Sequence, residues 1–143
     1  VLAIRYTGKK EDIVWDENIA ANMAEKLKSI QASMLANAWE KRNNQTKRLI
    51  DWAEFTPALN EKNLILAPWC EELQCENDVK KFSAEESKSA QEDAKEDDRA
   101  PSMGAKSLCM PYAEQDTPLE GLTCICRGCT KPAKKWVLWG RSY

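Results

Sequence analysis

Five of the six cysteines fall into two tight groups with a long segment between them, and this limits what the chain can fold into. Cys70-Glu-Glu-Leu-Gln-Cys75 is a thiol pair at C-x4-C spacing, and Cys126-Arg-Gly-Cys129 is a C-x-x-C turn with glycine before the second thiol. Two local pairs on either side of a long loop form the layout of a four-thiolate tetrahedral zinc site, in which each pair presets half the tetrahedron. The spacing favours Cys70, Cys75, Cys126 and Cys129 as ligands. Cys124 is the alternative: it can replace Cys129 to leave a C-x-C pair, which has less room to turn. Cys109, in the apolar run Leu108-Cys109-Met110, reads as a small buried hydrophobe. Disulfides are the competing reading of six cysteines. Without a secretory leader in the first twenty residues, paired thiols at knuckle spacing point to metal.

The chain has no histidine. A catalytic zinc, which keeps an open position and usually has histidine or carboxylate ligands, is therefore disfavoured. Cysteine-nucleophile and serine-triad chemistry lose their usual base for the same reason. With 21 basic and 23 acidic residues the net charge is −2, so the molecule as a whole is not an electrostatic trap for nucleic acid. No apolar run approaches the ~20 residues that span a bilayer, and a soluble intracellular protein without membrane or DNA partners is expected.

The expected fold class is α/β (α+β): a small mixed sheet flanked by helices, with a zinc knuckle. Val1 to Tyr6 reads as a strand ending in a Thr7-Gly8 turn, with no partner strand nearby and no initiator methionine, as in a piece of a longer protein. From Asp16 to about Gln45, apolar residues at Ile19, Met23, Leu27, Ile30, Met34, Leu35 and Ala38 predict a long helix packed on a sheet, with Asp16 as N-cap. Asp51 to Lys62 predicts a shorter helix, kinked or broken at Pro57. Asn63 to Ala67 predicts a buried strand stopped by Pro68, which delivers Cys70. Glu71 to Phe82 predicts a helix carrying Cys75. Ser83 to Arg99, rich in Asp and Glu, reads as a solvated helix or a disordered insertion. Ser107 to Tyr112 and Trp136 to Trp139 complete the strands. Arg127, Lys131, Lys134, Lys135 and Arg141 concentrate positive charge beside the knuckle, where they either neutralise a four-thiolate site or meet RNA phosphate.

Ala100-Pro-Ser-Met-Gly-Ala-Lys-Ser-Leu-Cys-Met-Pro-Tyr112, the knuckle with Lys131-Pro-Ala-Lys134, and the terminal Gly140-Arg-Ser-Tyr143 resemble the C-terminal end of eukaryote-like prolyl-tRNA synthetases. Leu64 through Cys75 resembles that family's first zinc-ligand pair, and Val1 to Lys10 the last strand of its anticodon-binding domain. The resemblance implies a class II aminoacyl-tRNA synthetase, a cytoplasmic ligase and likewise a homodimer, that joins proline to its tRNA using ATP and magnesium in a catalytic domain outside these residues. No catalytic residue carries over. It implies residues 1–10 as the end of the anticodon-binding domain, 11–62 as connecting helices and 63–143 as a structural zinc domain. Its partners would be the other domains of the same chain and tRNA(Pro), with Tyr143 reaching toward the catalytic domain. A free-standing zinc-knuckle module that binds RNA or protein without chemistry is the rival expectation.

Overall fold

The computed structural model describes residues 1–92 and 104–141. The chain divides into two compact units, Val1–Asn43 and Asn44–Tyr143.

In the first unit, β1 (Leu2–Ile4) and β2 (Lys9–Glu11) form an antiparallel hairpin, with Leu2 opposite Glu11. The opening strand therefore has a partner in its own neighbourhood, contrary to expectation. Gly8, at φ +71°, takes the left-handed conformation that closes the turn, and its N–H donates to the Ile4 carbonyl at 2.8 Å. Helix α1 (Ile19–Asn44) follows. The Asp16 carboxylate accepts from the Asn18 N–H at 2.9 Å just ahead of it, satisfying one of the orphan donors at the helix start.

The apolar stripe of α1 is present but is not buried against a sheet. No residue of the helix is buried, and Leu27, Leu35 and Trp39 are each at least half exposed. A 26-residue helix is about 39 Å long, whereas a three-residue strand spans about 10 Å, so the hairpin is too small to cover it. Lys26 with Glu11 (2.5 Å) and Asn37 with Tyr6 join helix to hairpin by polar contacts.

The second unit is built on a four-stranded mixed sheet in the order β3-β4-β6-β5. These strands are β3 (Thr46–Arg48), β4 (Leu64–Trp69), β5 (Lys106–Cys109) and β6 (Lys135–Gly140). β3 runs parallel to β4, while β6 is antiparallel to both β4 and β5. Helices α2 (Trp52–Asn60) and α3 (Leu73–Glu92) pack on one face. Asp51 caps α2 by accepting from the Ala53 N–H at 2.9 Å. The break expected at Pro57 does not occur: α2 continues to Asn60, and the Pro57 carbonyl takes the Glu61 N–H at 3.1 Å.

Pro68 does not stop β4 either; it and Trp69 pair with Trp136 and Lys135. Strand alternation explains this. Leu64 and Leu66 bond toward β3, so the missing N–H of Pro68 falls on that same side, where β3 has already ended at Arg48. No ladder bond is lost.

The core between sheet and helices contains Phe55, Leu59, Ile65, Val79, Val137 and Trp139, all at most 1 % exposed. Trp52 stacks on Phe55 at 5.0 Å, and Phe55 and Trp69 both meet Trp139 edge-on. Three of the six tryptophans, Trp52, Trp69 and Trp139, thus serve this core, while Trp15 and Trp39 are exposed. Along the edge of β6 that β5 leaves open, the Gln115 side chain exchanges hydrogen bonds with the Trp136 backbone at 2.8 and 3.3 Å, standing in for a strand partner.

Two further expectations change. Cys109 is exposed, because β5 is an edge strand whose register shifts between Ser107 and Cys109. Helix α3 also runs past Phe82 to Glu92, so the start of the acidic segment is helical. The remainder of that segment and Tyr143 lie outside the described residues.

Candidate metal centre

Strand β4 ends at Trp69 and presents Cys70 at its C-terminal end. Glu71 then adopts φ +65°, a left-handed turn that a non-glycine residue takes at some cost, and the chain enters α3 with Cys75 in the first turn. Positive helix-dipole ends favour thiolate, so this corner suits a sulfur ligand.

The second corner is a closed loop. Thr123 bridges Pro132, the Cys124 N–H donates to the Lys131 carbonyl at 3.0 Å, and the Cys129 N–H donates to the Cys126 carbonyl at 3.0 Å. Gly128, at φ +79°, provides the reversal. The Ile125 N–H donates to the Pro68 carbonyl at 2.8 Å, which docks this loop on the edge of β4 left open beyond β3. The proline that leaves a donor out of the sheet thus offers its carbonyl to the second cysteine loop.

The sulfurs of Cys70, Cys75, Cys124 and Cys129 lie within 4.8 Å of one another, and Cys75 and Cys129 are 3.6 Å apart. Four sulfurs around one ion at about 2.3 Å would stand roughly 3.8 Å apart, so this cluster fits a tetrahedral metal ion. All six cysteines are free, and 3.6 Å is far beyond the ~2.05 Å of a sulfur–sulfur bond.

Of the sulfurs anticipated from spacing, Cys70, Cys75 and Cys129 are in this group and Cys126 is not; Cys124 takes the fourth place. Both halves are then C-x4-C pairs, a symmetry that could have been read in the sequence. Cys126 contributes backbone instead. Its amide donates to the Cys124 sulfur, as the Glu72 amide does to Cys70, so each loop aims the N–H two residues on at its first cysteine.

The electrostatics agree with a site made for a cation. Burial, and then the neighbouring cysteines, push the Cys75 thiol far up. Burial pushes Cys124 up to about 12 and Cys126 to about 11. At Cys70 burial acts upward, but hydrogen bonds from the Glu72 amide and from Cys75, Cys124 and Cys129 hold the thiol below its ordinary value. Several adjacent thiolates are thus costly without a positive ion among them.

The basic residues expected to face RNA or a neighbouring domain are partly engaged within the chain. Lys131 reaches Glu72 at 3.2 Å and bridges the two cysteine loops; Glu72 first, then Cys70 and Cys75, hold its pKa up. Arg141 donates to Asn60 Oδ1 at 2.6 Å and to the Ser87 hydroxyl. Lys134 is exposed, and Lys135 begins β6 half-buried. One contact was not anticipated. Arg127 lies over the Phe82 ring at 4.5 Å and reaches Glu86 at 3.4 Å, while Glu86 also accepts from Trp52 Nε1 (2.8 Å) and Thr56 Oγ1 (2.5 Å). Glu86 thereby joins α2, α3 and the second cysteine loop.

A family model described as the C-terminal domain of prolyl-tRNA synthetase matches residues 52–143. A proline–tRNA ligase relative from Schizosaccharomyces pombe is 42 % identical over 129 residues, covering 88 % of this chain and 18 % of the relative. The cytoplasmic proline–tRNA ligase of Arabidopsis thaliana is 40 % identical over 139 residues, covering 97 % of this chain and 23 % of the relative. The proline–tRNA ligase of Oceanobacillus iheyensis is 32 % identical over 143 residues, covering 100 % of this chain and 24 % of the relative. The chain therefore spans less than a quarter of the length of each.

Proposed function

Since the chain belongs to the prolyl-tRNA synthetase C-terminal domain family, we propose that it is the structural metal-binding tail of a proline–tRNA ligase. The parent activates proline with ATP and magnesium and transfers it to tRNA(Pro), and these residues hold a fold together without entering that reaction. The metal is zinc, and its ligands are Cys70, Cys75, Cys124 and Cys129. The observation that carries this reading is the four-sulfur cluster, which ties the end of β4 and the start of α3 to the loop leading into β6. When bound, zinc supplies a positive charge that offsets the four thiolates and closes the long loop between the pairs; none of its coordination positions is left for substrate.

The apolar stripe of α1 is, on this reading, covered by the preceding domains of the parent, with residues 1–10 as the last of the anticodon-binding domain. The exposed basic stretch around Lys134 is the proposed point of contact with tRNA or a neighbouring domain. The parent works as a cytoplasmic homodimer. No helix among the described residues is long and apolar enough to cross a membrane. A free-standing knuckle module fits less well, because the relatives are several times longer.

Metal analysis tests the reading. The purified chain should carry one zinc by native mass spectrometry and show no proline-dependent pyrophosphate exchange. A chain that stays metal-free in excess zinc, or that activates proline by itself, contradicts it.

A further inference from the structure

The cluster has more sulfur than it uses. Cys126 is 4 % exposed and belongs to the same buried core as the four clustered thiols, yet it is not one of them. Its thiol makes a weak contact with the Arg127 carbonyl at 3.8 Å. Cys126 nonetheless lies between Cys124 and Cys129 in the same loop and shares one buried cluster with Cys70, Cys75 and Cys124, against which Cys129 packs. The Cys126–Cys129 turn is closed by a backbone hydrogen bond of 3.0 Å, so this pair already has the geometry of a C-x-x-C knuckle. A change of one χ1 well moves a cysteine sulfur by about 3 Å while leaving that backbone in place. The Cys70–Cys75 corner has no such spare, since the remaining cysteine, Cys109, is exposed on β5.

We propose that Cys126 is a reserve ligand for Cys124: when the Cys124 sulfur is lost, the Cys126 side chain turns inward and completes the site as Cys70, Cys75, Cys126 and Cys129. This rests on the metal-binding reading above. The incoming thiol gives up its proton to solvent as it binds, and the metal keeps four sulfurs. The two halves of the centre are then unequal. The corner at β4 and α3 tolerates no loss, while the knuckle tolerates the loss of Cys124.

The test uses the full 143-residue chain and zinc ion alone as the probe, with zinc counted by native mass spectrometry. Cobalt(II) substitution provides a second readout through its thiolate charge-transfer bands. Wild type, Cys124→Ser and Cys126→Ser should each hold one metal with a four-thiolate spectrum. The single variants should yield it to a chelator faster or at the same rate. Cys70→Ser and the double variant Cys124→Ser/Cys126→Ser should be empty. Any variant purified unfolded is refolded in excess zinc beside Cys126→Ser. If Cys124→Ser then stays empty or unfolded while Cys126→Ser recovers, the proposal is overturned. It is equally overturned if the double variant keeps its metal as well as Cys124→Ser does. A metal-free wild type would instead overturn the underlying metal reading, so the two failures are distinguishable.

Discussion

Helices α1 and α3 are of similar length but stand in opposite relation to their surroundings. α1 carries isoleucine, methionine, leucine and tryptophan at helical spacing and buries none of them. α3 is poorer in apolar residues yet buries a strict i, i+4 line of Cys75, Val79, Ser83 and Ser87. The serines are tolerated there because their hydroxyls are used. Ser83 donates to the Val79 carbonyl at 2.7 Å and accepts the Ala105 N–H at 2.8 Å, and Ser87 donates to the Ser83 carbonyl at 2.6 Å. An apolar stripe therefore shows that a face needs cover, not that this stretch of chain supplies it. A small polar stripe can be buried when its hydrogen bonds close locally.

Substitutions along the two helices should separate them sharply. Cys75→Ala on α3 leaves three thiolates; it should empty the metal site and lower stability by several kcal/mol, read as a large fall in melting temperature. Phe55→Ala, on the α2 face packed with α3, should cost about 3–5 kcal/mol in chemical denaturation because the ring is wholly buried. Ser83→Ala should cost about 1–3 kcal/mol, since it leaves the buried Ala105 N–H without its acceptor. Leu35→Gln on α1 should change the stability of this chain by no more than about 0.5 kcal/mol. A loss comparable to that of Phe55→Ala would show that the α1 stripe is covered after all.

A pH series sharpens the same contrast at the metal site. In metal-free protein the Cys124 and Cys126 thiols are raised by burial above their ordinary value near 9. Their stabilising contribution is complete below pH 9 and is lost as pH rises through about 11 to 12. With zinc bound the sign reverses, because the sulfurs are already ionised and protonation expels the metal, so stability falls toward acid. Melting curves with and without metal should therefore diverge in opposite directions. Parallel curves would remove the cysteines from the account.

The sequence makes the two cysteine corners legible because local spacing is a local property, and β4 and β6 because each contains a short apolar run, Leu64 to Ala67 and Trp136 to Trp139. The span of α2, predicted from Asp51 to Lys62 and observed as Trp52–Asn60, is legible for the same reason. β2 and β3 are not: Lys9-Lys-Glu11 and Thr46-Lys-Arg48 have no alternation, and their pairing depends on strands placed by tertiary contacts. Spacing favours Cys126 where the structure clusters Cys124, because spacing alone does not reveal how the Cys124–Cys129 loop docks. The Ile125 N–H on the Pro68 carbonyl turns Cys124 toward Cys70 and leaves the Cys126 amide to serve it. Cys109 looked buried because its neighbours are apolar, but an edge strand with a register shift leaves even Leu108 and Met110 about half exposed.

X-ray absorption at the zinc edge tests the central claim most directly. The account predicts one zinc per chain with four sulfur neighbours at about 2.3 Å and no oxygen or nitrogen in the first shell. A first shell containing oxygen or nitrogen, or a folded chain that takes up no zinc and keeps its melting temperature, would contradict it.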